Sequence, residues 1–252
     1  MDTFLDGLAV EARKARSSRV LWSTGLLLVL GVTGLAATMV LAARGGNAQL
    51  LAKLGPRAAS GDWDALLSGA AQITAAGGLL AFGTGASWLY GREFVDGTVS
   101  GLFGLPVSRG RIAGAKLAVY AGWSLILSTL MTVLLLGTGV AIGLGIPDAP
   151  AVTGLGREFA LAVLTASIAV PAGWAASLGR GVLPGIATSV GVLVLAQVAV
   201  LADVASWMPF VAPAFWALQP ATSAATLLVV PLIPLLFGAG IITVWRQLQL
   251  DR

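Results

Sequence analysis

The residues with chemistry to offer are concentrated in one stretch, GREFVDGTVSGLFGLPVSRGRIAGAK, which covers 91–116. Arg92, Glu93 and Asp96 stand at its start and Arg109, Arg111 and Lys116 at its end, with glycine-rich and modestly apolar sequence between them. Acids and bases laid out in this way suit docking contacts. They make no catalytic centre without a nucleophile and a base to activate it. The chain has no cysteine and no histidine, which removes disulfides, thiolate and imidazole metal sites, cysteine nucleophiles and Ser-His-Asp chemistry. No G-x-x-x-x-G-K-[ST] loop occurs, so nucleotide binding in the P-loop manner is excluded. Gly83-Thr84-Gly85-Ala86-Ser87 departs from the G-x-S-x-G elbow, and no base is at hand for its serine. A passive connector needs only a few residues with turn chemistry. The 91–116 stretch has room for a short helix of its own and reads as a docking surface.

The elements that must position this stretch are apolar. The 252 residues are 57% hydrophobic and 10% charged, with mean hydropathy +0.91, against roughly 25% charged residues in an average soluble domain. The composition predicts an all-α polytopic membrane protein, one membrane domain over 1–252. Six uncharged runs, at 20–43, 65–90, 117–145, 159–179, 181–202 and about 221–245, each approach or exceed the roughly 20 residues that cross a bilayer core. The run at 20–43 is too long for a signal-peptide core, and Asp2, Asp6 and Glu11 do not suit the segment before one. Ahead of it, 1–19 reads as an amphipathic interfacial helix. Phe4, Leu5, Leu8, Ala12 and Ala15 fall on one side, with Glu11 an imperfection; a disordered charged tail is the alternative.

With the N-terminus inside, eleven of the fifteen basic residues fall in inner segments and only Arg44, Lys53, Arg57 and Arg157 outside. The positive-inside rule then places both termini in the cytoplasm. This pattern also accounts for the basic pI without nucleic acid. All eight tryptophans fall near span ends, where an amphipathic ring prefers to lie. The 203–220 segment carries Pro209, Pro213 and Pro220 with several aromatics and no basic residue. It reads as an outer interfacial or re-entrant segment, or as an ordinary loop against the lipid. The joint Gly179-Arg180-Gly181 is a turn between spans or part of one longer broken helix.

Inside these runs no Asp, Glu, Lys or Arg occurs apart from Arg180, which argues against an ion-driven carrier. Gln72, Thr74, Ser128, Thr132, Thr188 and Gln197 line a path or bond helix to helix. Gly139-x-x-x-Gly143 and Gly181-x-x-x-Gly185 permit close helix contact. Pro171, Pro184, Pro231 and Pro234 are expected to kink their spans.

Glu93, Gly97-Thr98, Pro106-x-Ser108-Arg109 and Lys116, in that order, resemble the loop motif of type-2 permease subunits of ATP-binding-cassette (ABC) exporters. The resemblance extends over nearly the whole chain, through the amphipathic N-terminal helix, six spans and interfacial segment before the sixth. It implies a coupling helix within about 93–105 that docks on a separate ABC ATPase, with Glu93, Phe94, Asp96, Gly97, Thr98, Pro106, Ser108, Arg109 and Lys116 as the coupling residues. Glu93 and Asp96 would face the ATPase, and Arg109 and Lys116 would fix the loop against it or against lipid phosphates. The family further implies a homodimer or a pair with a related permease, and no cofactor in this chain, ATP and Mg being held by the partner. It also implies no nucleic acid and a place in the bacterial cell membrane. An amphipathic, lipid-like or peptide/antibiotic substrate is expected, since the spans supply no buried charge. An ion-coupled secondary carrier and a non-transporting anchor or sensor are the alternatives.

Overall fold

The computed structural model describes residues 3–45, 60–104, 107–202, 208–219 and 222–249. Pro106, and with it Lys53, Arg57, Trp207, Pro220 and Arg252, lies outside the described residues. Hydrocarbon offers no partner for backbone N–H and C=O groups, so apolar segments of this length satisfy their own as helices. Among the described residues, six are long and apolar enough to span a membrane. A short helix, α1 (Thr3–Arg16), precedes the first span α2 (Arg19–Arg44), whose N-terminus is capped by Ser18 accepting from the Leu21 N–H at 3.3 Å. The second span is α3 (Trp63–Ile73), a π-helical turn (Thr74–Gly78) and α4 (Leu79–Val95). A 3-10 turn (Thr98–Gly104) leads to the third span, α5 (Arg109–Ala141). The fourth span is α6 (Ala149–Ile168) continued by α7 (Val170–Leu178), and the fifth is α8 (Val182–Leu201). Last come a short helix α9 (Ala212–Leu218), a 3-10 turn (Ala224–Val229) and α10 (Leu232–Arg246), the last two forming the sixth span.

The fourth span differs from expectation in a way that matters. It begins at Ala149, where Asp148 accepts from the Ala151 N–H at 2.9 Å and Pro150 sits in the first turn. Arg157 and Glu158 therefore lie within the spanning helix, Glu158 about 14 Å along it at 1.5 Å per residue. Glu158 is buried, accepting a hydrogen bond from the Thr74 hydroxyl. The reading that the spans hold no acid is overturned, and with it the argument against an ion-coupled carrier and for an uncharged substrate path.

Spans two and five meet along a seam of small residues. A Cβ built on Gly83 would stand 1.9 Å from Ser189 Oγ, one on Gly185 2.2 Å from Ser87 Oγ, and one on Gly91 2.6 Å from the Gly181 backbone. Gly83, Ser87 and Gly91 thus oppose Gly181, Gly185 and Ser189 at four-residue spacing on both helices, the geometry that lets backbones approach. Gly139-x-x-x-Gly143 is not such a seam: Gly139 receives the Trp63 ring, while Gly143, at φ +78°, makes the turn after the third span. Gly179-Arg180-Gly181 is a tight turn, with Arg180 at φ +49°. Of the four prolines, Pro171 marks the break between α6 and α7 and Pro231 the junction of the 3-10 turn with α10 inside the sixth span, whereas Pro184 and Pro234 stand in the first turns of their helices, where a missing N–H costs least.

Candidate functional site

At the end of the second span the chain turns because of one glycine. Asp96 closes α4, and Gly97 follows at φ +66°, a left-handed conformation that side chains oppose, with its N–H on the Phe94 carbonyl at 3.3 Å. The 3-10 turn from Thr98 then runs exposed along the bundle end. Ser108 opens α5 with extended backbone, φ −66° and ψ 138°, and its side chain makes no cap.

Glu93 does not face outward as expected. It is only 3% exposed and belongs to a closed set of four charges. Lys116, on α5 and 1% exposed, donates to Glu93 Oε1 at 3.0 Å and to Glu11 Oε2 at 2.8 Å. Lys14, on α1, donates to Glu11 Oε1 at 2.7 Å and to Glu93 Oε1 at 2.9 Å. Two acids and two bases alternate, Lys14 partly exposed and the other three buried, so each charge touches charges of opposite sign on both sides, the condition under which burial of ions is tolerated. Burial pushes the Lys14 ammonium down, but its bonds to Glu11 and Glu93 outweigh this and hold it above its ordinary 10.5. Glu93 Oε2 has no partner among the described residues.

The same set joins the sixth span. The Lys116 ammonium lies 5.6 Å from the Trp245 ring, Phe94 meets that ring edge-on at 6.1 Å, and Trp245 Nε1 donates to Ser177 at 3.0 Å. Tyr90, on α4, donates to the Ala113 carbonyl of α5 at 3.0 Å. Arg109 donates to the Leu248 carbonyl, and the Arg246 side chain covers Gly110. Arg109 and Lys116, expected to reach toward a partner or lipid, instead brace the chain internally.

The residues of the sequence motif thus divide into two groups. Glu93, Phe94, Arg109 and Lys116 hold the loop to the spans. Asp96, Gly97, Thr98 and Ser108 are exposed on its surface, with Asp96 3.7 Å from Arg92 in an i,i+4 pair and the Thr98 hydroxyl pointing back to the Glu93 carbonyl at 3.5 Å. Two functional residues were missed from the sequence, Glu11 and Lys14. The signal was present: an acid among Leu8, Ala12 and Ala15 on the packed side of α1 needs cations, and it meets Lys14 of its own helix at 2.7 Å and the buried Lys116 at 2.8 Å.

Around this site α1 lies across the start of the third span, Gly7 facing Ala115 and Phe4 facing Gly114, while Leu5 and Val10 are more than half or half exposed at 58% and 50%. That arrangement packs one face of the helix on the protein and leaves apolar side chains exposed on another. The profile of the family described as ABC-2 family transporter protein matches residues 8–195, from α1 through most of the fifth span. No curated protein matches the chain. Six spans in one bundle among the described residues and a family match over most of the sequence agree: the chain belongs to the ABC-2 transporter family, as a multi-pass permease, a membership that implies an ABC ATPase partner.

Proposed function

We propose that this permease is the membrane subunit of an ATP-driven exporter and that the exposed loop after the second span is where its ATPase docks. The observation that carries the reading is the closed set of Glu11, Lys14, Glu93 and Lys116, of which Glu11, Glu93 and Lys116 are buried. It binds the base of the loop to α1 and to the third span, so a push on the loop is delivered to the spans instead of being absorbed in a hinge. ATP and Mg belong to the ATPase. Its closure displaces the loop, and the braced helix ends follow as a rigid body, altering the path along the interface between two permease copies. Asp96 and Thr98 meet the ATPase, Gly97 sets the turn, and Pro106 leads back to Ser108. Both termini lie in the cytoplasm of a bacterial cell, as the clustering of basic residues supports. Outward transport of an amphipathic substrate is the direction the family resemblance favours.

The test is affinity purification of the tagged chain from its native membrane with its ATPase, wild type against Asp96→Arg. Asp96 is exposed, and its ion pair with Arg92 is a surface one, which contributes about 0–1 kcal/mol. The variant is expected to fold normally, to lose most of the bound ATPase and to stop stimulating hydrolysis. Full retention and stimulation by Asp96→Arg would move the docking surface elsewhere.

A further inference from the structure

A cavity of about 660 Å³ opens at the end of the bundle opposite the loop, between α3, α6 and α9. That volume is in the range that holds a small organic ligand. Four acids line it, Asp62, Asp64, Asp148 and Glu158, against one base, Arg157. The base is already engaged, its guanidinium 5.3 Å over the Trp216 ring. Asp62, Asp64 and Asp148 are exposed at the mouth. Burial raises the Asp62 carboxyl, but the Ser60 hydroxyl and the N–H groups of Ala65 and Asp64 outweigh it and hold the group below its ordinary range. The mouth is anionic.

The deep wall carries the second observation. Glu158 is 2% exposed, and while its Oε1 accepts from Thr74, its Oε2 has no partner among the described residues. Trp63, lining the same cavity, has a buried Nε1–H that is likewise unpartnered. An unmatched buried acceptor costs about 1–3 kcal/mol, and more when charged. Thr74 opens the π-helical turn, so the second span departs from regular α-helix where its hydroxyl turns to Glu158, a distortion frequent at functional sites.

The geometry points to a binding site for an amphipathic organic cation, an alkylammonium whose N–H groups donate to Glu158 Oε2 and whose carbon chain lies on Leu67, Ala71 and Gly154. The mouth aspartates raise the local concentration of such a cation. A bare divalent metal would want six to eight oxygen ligands, whereas this wall is largely apolar and calls for an organic body. The site does not rest on the transport reading, since binding needs neither ATP nor ATPase.

The experiment is calorimetric titration of octylammonium chloride into the purified chain in phosphatidylcholine nanodiscs, with empty nanodiscs subtracted and octanol as the neutral competitor. Wild type is expected to show one saturable site per chain that octanol does not compete for. Glu158→Gln, which keeps an acceptor for Thr74, should bind at least tenfold more weakly with its melting temperature unchanged or raised. Asp64→Asn should weaken binding two- to threefold and flatten its salt dependence, and Ser68→Leu, which fills the cavity, should abolish it. The last two variants decide the matter if Glu158→Gln does not fold. Equal affinity in Glu158→Gln, or unchanged binding in Asp64→Asn and Ser68→Leu, would overturn the site, as would competition by octanol or a signal matching partition into empty nanodiscs.

Discussion

Lys116 is the side chain on which the loop end depends most. Its ammonium serves Glu11, Glu93 and the face of Trp245 together, and no water reaches it at 1% exposure. Replacing it with Met leaves two buried carboxylates sharing only Lys14, a loss of about 3–5 kcal/mol for breaking such a set from one side. Asp96→Asn, on the exposed side of the same turn, should stay within about 0.5 kcal/mol of wild type. Thermal unfolding in detergent checks both, and comparable small shifts would mean that the four charges are not a structural unit. Sequence order places these residues around one turn, but the outward direction expected of Glu93 and Lys116 is not the one they take, since both are buried. Glu93 and Lys116 are separated by 23 positions and Glu11 by 105 from Lys116, and helical periodicity says nothing about which distant helix a charge will meet. The odd acid on α1 could have been taken as evidence of a partner, because an unpaired carboxylate on a packed face is expensive.

At the level of elements, the seam between the second and fifth spans determines how closely those helices lie. Gly185→Val would drive its Cβ toward Ser87 Oγ at 2.2 Å and the Ala172 carbonyl at 2.4 Å. A backbone atom cannot step aside, so the expected cost is about 1–3 kcal/mol or more. Gly191 lies on the same helix with nothing within 4 Å of a Cβ, and Gly191→Ala should be neutral or stabilising by about 0.5–1 kcal/mol. Folded yield and melting temperature of the pair distinguish the seam from a general dislike of substitution in α8. Half of this seam was legible: Gly181-x-x-x-Gly185 has the spacing, but its complement on α4 is Gly83, Ser87 and Gly91, where a serine breaks the glycine pattern. The equally regular Gly139-x-x-x-Gly143 serves a tryptophan and a turn instead, since spacing alone does not show which face of a helix has a neighbour. The π-helical turn had no signature in its residues, Thr-Ala-Ala-Gly-Gly. The start of the fourth span was placed about ten residues late because charge was used to end the run. Asp148 and Pro150, a cap and a first-turn proline, were the better markers, and the late placement hid Glu158.

Across the whole molecule the two ends differ in kind. One end is a closed set of compensated charges beneath an exposed loop, and the other an open, acidic cavity whose deep carboxylate has one oxygen without a partner among the described residues. Spans two, three, four and six converge on the first through Glu93, Lys116, Ser177 and Trp245, while spans two and four reach the second through Trp63 and Glu158. A displacement of the loop therefore acts on helices that also wall the cavity. The number of spans and the family were legible because a bilayer fixes the length of an apolar helix and the motif order is preserved within one loop. The bracing was not, because it is made by contacts between helices. The central claim is that the loop and α1 move as one piece under ATP. The chain has no native cysteine, so spin labels at Ser17→Cys and Ser100→Cys, both exposed, report directly on that. Pulsed electron–electron distance measurements on the permease–ATPase complex, with the labelled chain diluted into excess unlabelled chain, should give one narrow distribution, unchanged within about 2 Å on adding ATP with Mg, the scale of a helix shift. A distribution that broadens or moves farther with ATP would show that the loop swings free of α1, and would contradict a rigid lever built on Glu11, Lys14, Glu93 and Lys116.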